Sequence, residues 1–452
     1  LGMLGLTQGD FMPFDSYEDE GFGFEEINVV VNGNTNIDAF FINENFEEGA
    51  EQSVTFDVNA ALEINHLIAD GAEDITIHAG ADVVIADDED SFGNAYNDGI
   101  STADLDTLTI DGDGDVMIDG LDGGTVHVNG SAMEGDLQLG VTYDTAASSG
   151  TLIESGAGDD LIVTYGSLGG DVSTNGGNDV LEVRGDFYPT VEVDMGEGND
   201  TVTGDDMLAY GDYIPSEVDY DHVPAIAASI DLGNGDNSAA IGEMHSAVSW
   251  NDWATYDNDN DDDTYMLVGA EITGGTGNDT VSLIVMEEQA VIGLDGGNDD
   301  VIFNSENLGS GGSGGHYLGD DYGMPAVMWG DSQNDQERVN IDDENAEEDI
   351  LGAQVYLGEG NNTITFNDSD LEFIANYNSG SGDSFGKDIL LMGEGALVEA
   401  GSGSDTFNVN FVNDVTVAAK SSWGTYNPDM QKMIVGIDTI NRLVMFAVCS
   451  GG

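Results

Sequence analysis

The sequence predicts an all-β chain wound as a parallel β-solenoid, with coils of about twenty residues and looped insertions. Three observations point there. Short alternating apolar runs such as Asp74-Ile75-Thr76-Ile77 and Thr107-Leu108-Thr109-Ile110 read as strands buried on one face. Glycine stands at 64 positions and proline at only six, which suits many tight turns rather than a polyproline or collagen-like chain. A Gly-Asn-Asp type of turn recurs along the chain at a regular beat.

The apolar runs show that the chain can build a core. Strong acidity often goes with disorder, but disordered chains are poor in apolar residues, and here 40% are apolar.

The turn appears as Gly156-Ala157-Gly158-Asp159-Asp160, Gly176-Gly177-Asn178-Asp179, Gly196-Glu197-Gly198-Asn199-Asp200 and Gly233-Asn234-Gly235-Asp236-Asn237. It returns as Gly274-Gly275-Thr276-Gly277-Asn278-Asp279, Gly296-Gly297-Asn298-Asp299, Gly358-Glu359-Gly360-Asn361-Asn362 and Gly401-Ser402-Gly403-Ser404-Asp405. Successive units end 19, 21, 37, 42, 20, 63 and 43 residues apart. These intervals read as one, one, two, two, one, three and two coils of about twenty residues, the motif being absent or displaced by an insertion on some turns. Within one coil, between Asp179 and Asp200, Val180 to Val183 and Val191 to Val193 read as two strands separated by a turn. Two short strands and two turns per coil predict a flattened solenoid with like strands stacked in parallel about 4.8 Å apart.

Four regions follow from this reading. Residues 1–24 lack alternation and carry Phe11, Phe14, Tyr17 and Phe22, as an arm or cap. Residues 25–150 continue the solenoid with irregular turns, and residues 151–410 hold the repeat. Insertions are expected near 205–230, 244–265 and 304–328, and residues 411–452 form a strand-rich cap.

Charge sets the exclusions. Against 90 acidic residues stand six basic ones, for a formal net charge of −84. Nucleic acid and anionic membrane surfaces are poor partners for such a chain, and cations are natural ones. No stretch approaches 18 apolar residues, so no membrane insertion is expected. The single cysteine, Cys449, permits no disulfide within one chain and no multi-cysteine metal site.

Gly274-Gly275-Thr276-Gly277-Asn278-Asp279-Thr280-Val281-Ser282 resembles the nonapeptide of the repeats-in-toxin calcium proteins at every defined position. The resemblance covers roughly residues 150–410. It implies a calcium cofactor held by backbone carbonyls and an Asp carboxylate, the all-oxygen cage that calcium takes. The metal residues it implies are Gly156, Gly158, Asp159, Asp160, Gly177, Asn178, Asp179, Gly196, Gly198, Asn199, Asp200 and Asp236. Gly274, Gly275, Gly277, Asn278, Asp279, Gly297, Asn298, Asp299, Gly403 and Asp405 complete that set. Units ending at Asp160, Asp200 and Asp405 lack the first glycine, and those ending at Asn237 and Asn362 carry an amide for the carboxylate. One motif per coil implies calcium along one edge. The bridges it favours join Asp160 to Asp179, Asp179 to Asp200, and Asp279 to Asp299. Carboxylates stacked about 4.8 Å apart repel by roughly 1 kcal/mol per pair in water and about 3 kcal/mol at an effective dielectric of 20, so such a column calls for a counterion.

Other clusters say less. Asp257-Asn258-Asp259-Asn260-Asp261-Asp262-Asp263 has alternating acids but lacks the glycine and glutamate of an EF-hand loop. The six histidines, His66, His78, His127, His222, His245 and His316, show no ligand spacing and read as structural or surface residues. No nucleophile and base are brought together by the sequence, and no catalytic residue is assigned. The expected function is therefore non-enzymatic: a secreted calcium-binding structural protein of an extracellular fibre, surface layer or matrix. The alternative is a repeat region of a large calcium-dependent adhesin, or the export module of a secreted enzyme. Calcium ions, further copies of the chain in an oligomer or polymer, and a glycan or cell-surface partner are the expected contacts, in an extracellular or cell-surface setting.

Overall fold

The computed structural model describes residues 12–15, 26–43, 53–69, 72–86, 99–102, 105–122, 126–142, 146, 150–210, 226–250, 265–287, 289–304, 326–328, 353–368, 388–392, 397–399, 402–411, 416–417 and 434–436. Every named element among them is a β-strand. The chain is all-β, and its long ladders are parallel, as a solenoid requires. It divides into two compact units, residues 1–205 with 230–234, and residues 206–229 with 235–452.

In the first unit, one strand per coil feeds a first parallel ladder: Glu26–Val31, Ser53–Val58, Asp74–Ala79, Thr107–Gly112, His127–Met133, Leu152–Glu154, Asp171–Ser173 and Glu192–Asp194. A second ladder stacks Thr35–Ile37, Leu62–Ile64, Val83–Ile85, Val116–Asp122, Leu137–Val141, Leu161–Thr164, Val180–Val183 and Thr201–Thr203.

Alternation decides which side chains enter the core, because successive residues of a strand point to opposite faces. Ser53–Val58 buries Val54, Phe56 and Val58 and turns Ser53, Thr55 and Asp57 outward. In-register stacking repeats this coil after coil. Val54, Ile75, Leu108, Val128, Ile153, Val172 and Val193 form one buried column, each at most 3% exposed. Ile37, Ile64, Ile85, Ile118, Leu139, Ile162, Leu181 and Val202 form its counterpart under the second ladder. Each such side chain contributes roughly 1.5–3 kcal/mol by leaving water.

The second unit repeats the plan. Its first ladder stacks Glu271–Thr276, Val291–Gly296, Gln354–Tyr356, Leu397–Glu399 and Ile434–Gly436. Its second stacks Ser238–Ala240, Thr280–Leu283, Asp300–Asn304, Thr363–Asp368 and Thr406–Phe411.

Two features differ from the flattened, two-stranded coil. A third parallel ladder runs through Glu243–Met244, Val285–Met286, Ala326–Met328, Asp388–Met392 and Thr416–Val417. Another joins Met12–Asp15, Phe40–Asn43, His66–Ala69 and Gly99–Ser101 in the first unit. The physical reason is visible at Val285 and Met286, buried apolar residues that continue past the second strand and give their coil a third inward face. The second difference is in counting. The motifs ending at Asn237, Asp279, Asp299, Asn362 and Asp405 occupy successive coils, so intervals of 42, 63 and 43 residues each span one enlarged coil, not two or three.

Two of the expected insertions begin and end as antiparallel pairs, Ala209–Tyr210 with Ile226–Ala227 and Ser246–Trp250 with Tyr265–Gly269. Residues 211–225, 251–264, including the acidic run at 257–263, and 305–325 lie outside the described residues. Of residues 1–24 only Met12–Asp15 is described, and of residues 411–452 only 411, 416–417 and 434–436.

Candidate functional site

Where the coils turn from the first ladder to the second, the backbone repeats a pattern in most of them. In four turns a left-handed residue stands four places before the Asp or Asn that closes them: Asn175 (φ 62°), Gly196 (75°), Gly233 (69°) and Gly358 (60°). Two residues before the closing residue a glycine stands in every turn, and in six of them its φ is positive, as at Gly177 (140°) and Gly360 (151°). At Gly360 a Cβ would lie 1.4 Å from the Gly297 carbonyl oxygen of the neighbouring coil, so no other residue fits. The position before the left-handed residue is apolar core in three coils, with Met195, Leu232 and Leu357 buried there. The unit ending at Asp200, which lacks the first glycine of the nonapeptide, thus spends that position on the core residue Met195.

The two residues that close the turn build two columns. The inner one is buried. In the first unit Asp160 Oδ1 accepts the Leu137 N–H at 2.7 Å, Asp179 Oδ1 accepts the Asp160 N–H at 2.8 Å, and Asp200 Oδ1 accepts the Asp179 N–H at 2.8 Å. In the second unit the Asn237 N–H donates to Asp279 (3.0 Å), Asp279 to Asp299 (3.0 Å), Asp299 to Asn362 (2.9 Å) and Asn362 to Asp405 (3.0 Å). Each pair named for bridging therefore sits in adjacent coils.

The outer column is exposed and its bonds run the other way. Asn178 donates from its backbone and its side-chain amide to Asp159 Oδ1, at 2.8 and 2.9 Å, and Asp159 in turn donates its N–H to Asp136. Asn199 donates to Asn178, Asn278 to Asp236, Asn298 to Asn278 and Asn361 to Asn298 in the same double fashion.

The second carboxylate oxygens of the inner column set its chemistry. Oδ2 of Asp179, Asp279, Asp299 and Asp405 is buried and has no hydrogen-bond partner among the described residues. What that position asks for is visible at Asn362, whose Nδ2 occupies it and donates to the Leu357 carbonyl at 2.8 Å and the Gly358 carbonyl at 3.3 Å. An acceptor in the same register faces acceptors, so a positive charge or a proton belongs there. Asp160 is provided for differently, since the Gly156 N–H reaches its Oδ2 at 3.2 Å.

Burial pushes Asp179 up from the ordinary 3.8 to about 7, and Asp200 and Asp279 to about 6. Burial also raises Asp160 and Asp299. Asp159, one residue from Asp160, moves down because the Asn178 backbone and side-chain amides hydrogen-bond it.

These residues offer oxygen donors suited to a hard cation such as calcium: an unbonded carboxylate oxygen beside main-chain carbonyls. Among the described residues, no three His, Cys, Asp or Glu side chains converge into a metal cage. A cation at one of these positions would thus take one carboxylate per coil and complete its shell with carbonyls and water. Of the residues the nonapeptide pattern implies, Asp160, Asp179, Asp200, Asp279, Asp299 and Asp405 stand in the inner column. Asp159, Asn178, Asn199, Asp236, Asn278 and Asn298 stand in the outer one, where the side-chain oxygens of Asp159, Asn178, Asp236, Asn278 and Asn298 receive the next coil's amides and Asn199 donates to Asn178. The glycines supply backbone alone.

Asn237 and Asn362 share the inner column although they fall outside the expected ligand set. The pattern Gly-Asx-Asx marks them equally well, and only the demand for a carboxylate set them aside.

A second cluster was not foreseen. His245 lies with Nδ1 3.3 Å from Glu287 Oε1, and with Nε2 3.8 Å from Asp206 Oδ2 and 3.9 Å from Glu243 Oε2. Glu287 also accepts the Ser246 N–H at 2.8 Å. Burial opposes charge on the imidazole, but the hydrogen bonds and charges of Asp206 and Glu287 outweigh it and hold His245 at about 10. Burial raises Glu287, and His245 more than reverses this, leaving it below the usual carboxylate range.

Fold and columns together define an all-β parallel solenoid with an acidic inner column. The chain matches no protein-family model, no curated protein and no solved structure.

Proposed function

We propose that this chain is a secreted, calcium-loaded structural solenoid that builds an extracellular fibre, surface layer or matrix. The observation that carries the reading is the set of buried Oδ2 atoms at Asp179, Asp279, Asp299 and Asp405, which have no hydrogen-bond partner among the described residues. Four buried carboxylate oxygens without donors are costly unless something positive meets them. The net charge of −84 makes calcium an efficient counterion and makes assembly of copies dependent on it. Gly156, Gly177, Gly198, Gly277 and their counterparts let the backbone close in on the carboxylates, and Asp279 and Asp299 supply adjacent ligands.

The test is a calcium titration of chelator-treated protein, followed by circular dichroism and thermal melting. Millimolar calcium is expected to raise the melting temperature where matched ionic strength of sodium chloride does not. Equal rescue by sodium chloride would replace calcium loading with general charge screening. Negative-stain microscopy of the same samples tests assembly: ordered polymers or lattices with calcium, dispersing in chelator, support the structural role. Single particles at high concentration in calcium would favour a fragment of an adhesin.

A further inference from the structure

We propose that Asn362 is a built-in ion-free coil, its amide taking the place that a cation takes beside Asp279 and Asp299, and that cation sites are confined to coils whose inner carboxylate has no donor. This rests on the calcium reading and adds to it which coils bind and which do not.

The turns show three solutions to one geometric problem. Each turn presents an inner side chain whose Oδ1 is committed to the N–H of the adjacent coil, as in Asp299 Oδ1 to Asp279 (3.0 Å) and Asn362 Oδ1 to Asp299 (2.9 Å). The second head-group atom then faces the turn's own backbone. At Asn362 that atom is an N–H donor satisfied by the Leu357 and Gly358 carbonyls. At Asp160 it is an oxygen satisfied by the Gly156 N–H. At Asp179, Asp279 and Asp299, all at most 1% exposed, it is an oxygen that nothing donates to among the described residues.

Asp299 and Asn362 are direct neighbours in register, since Asp300 pairs with Thr363. The carbonyls equivalent to those of Leu357 and Gly358 are therefore those of Leu294 and Asp295. Asn and Asp have the same shape, so the exchange alters the head group's charge and donor capacity while leaving its space unchanged. An amide supplies two N–H donors to the carbonyls; a carboxylate supplies none and needs a cation between them.

The test counts bound calcium by equilibrium dialysis and elemental analysis of folded full-length protein. Asp299→Asn is expected to bind fewer ions than the parent, and to melt higher than it in chelator, because the amide satisfies the carbonyls unaided. Asn362→Asp is expected to bind more ions than the parent and to melt lower in chelator. Asp160→Asn is expected to leave the count unchanged. Asp279→Asn repeats the loss at a second coil and covers the case in which one variant misfolds. If the parent binds calcium and both Asp299→Asn and Asn362→Asp keep the parent's count while folded, the assignment of coils is wrong and calcium loading stands. If the parent binds none, calcium loading itself is wrong.

Discussion

Asp159 and Asp160 are neighbours in sequence and opposites in chemistry. Asp159 lies in the outer column, accepts two bonds from Asn178 and is held below its ordinary pKa. Asp160 lies in the inner column, buried to 2% exposure, and burial raises it. The difference teaches that a repeated acidic turn is not one kind of site. One residue per turn is a surface clasp that water can replace; the next is an interior group whose charge must be answered locally.

The largest expected effect comes from the backbone that both columns share. Gly360→Ala forces a Cβ to within 1.4 Å of the Gly297 carbonyl oxygen at φ 151°, and is expected to cost at least about 3 kcal/mol or to prevent folding of its coil. Gly293→Ala meets nothing within 4 Å and is expected to stay within about 0.5 kcal/mol. Denaturant unfolding of the two variants measures the contrast. Equal losses would mean that neither column depends on the close approach of coils.

His245 tests whether the inner chemistry extends beyond the turns. His245→Ala leaves Asp206, Glu243 and Glu287 together without their cation, at a cost of roughly 3 kcal/mol. The pH signature is specific. Because the folded pKa of about 10 lies above the free value of 6.5, the stabilisation is complete below about pH 6.5 and is lost as pH rises through 10. Melts of parent and variant between pH 6 and 11 should converge at the alkaline end.

Much of this architecture was legible in the sequence. The alternation in Ser53–Val58 and Thr107–Gly112 marks the strands, and the Gly-Asn-Asp beat marks one edge. Coil counting was not legible, because the ladder fixes register while the loop between strands can grow. Each doubling of loop length costs only about 0.6 kcal/mol, so a 63-residue interval can still be one coil. The third ladder was hidden because two-residue strands such as Val285–Met286 are too short to show a period. The inner column was legible in position but not in chemistry: the turn pattern marks Asp179, Asp299, Asn237 and Asn362 alike, while the bond of the Asn362 amide to its own turn shows only in the fold. The His245 cluster draws on positions 206, 243, 245 and 287, which no local pattern connects.

Protons and calcium should compete for the inner column. In metal-free protein, Asp179 holds its proton to about pH 7 when folded but only to 3.8 when unfolded, so the folded state binds more protons across that interval. Stability is then greatest below about pH 4 and declines as pH rises towards 7, with Asp200 and Asp279 finishing their share near 6. Calcium is expected to flatten this decline and to bind more weakly at pH 5 than at pH 8. Chemical denaturation at four pH values, with and without calcium, gives the slope. A metal-free protein that gained stability from pH 4 to 7 would show that the inner carboxylates are answered by donors and need no ion.

The smallest effect is confined to the outer column. Asn178→Ala removes the side-chain amide from Asp159 Oδ1 but keeps the backbone N–H that donates to the same oxygen at 2.8 Å. Asp159 should therefore rise only part of the way back to its ordinary value, since the backbone bond is the larger cause of its depression. Asp179, in the next position along the chain but in the other column, should titrate as before, because its shift comes from burial and not from Asn178. Carboxyl carbon chemical shifts followed by NMR across pH 2 to 8 report both groups in one sample. A shift of Asp179 comparable to that of Asp159 would mean that the two columns are electrostatically one site, and would remove the distinction between clasp and interior on which the other predictions depend.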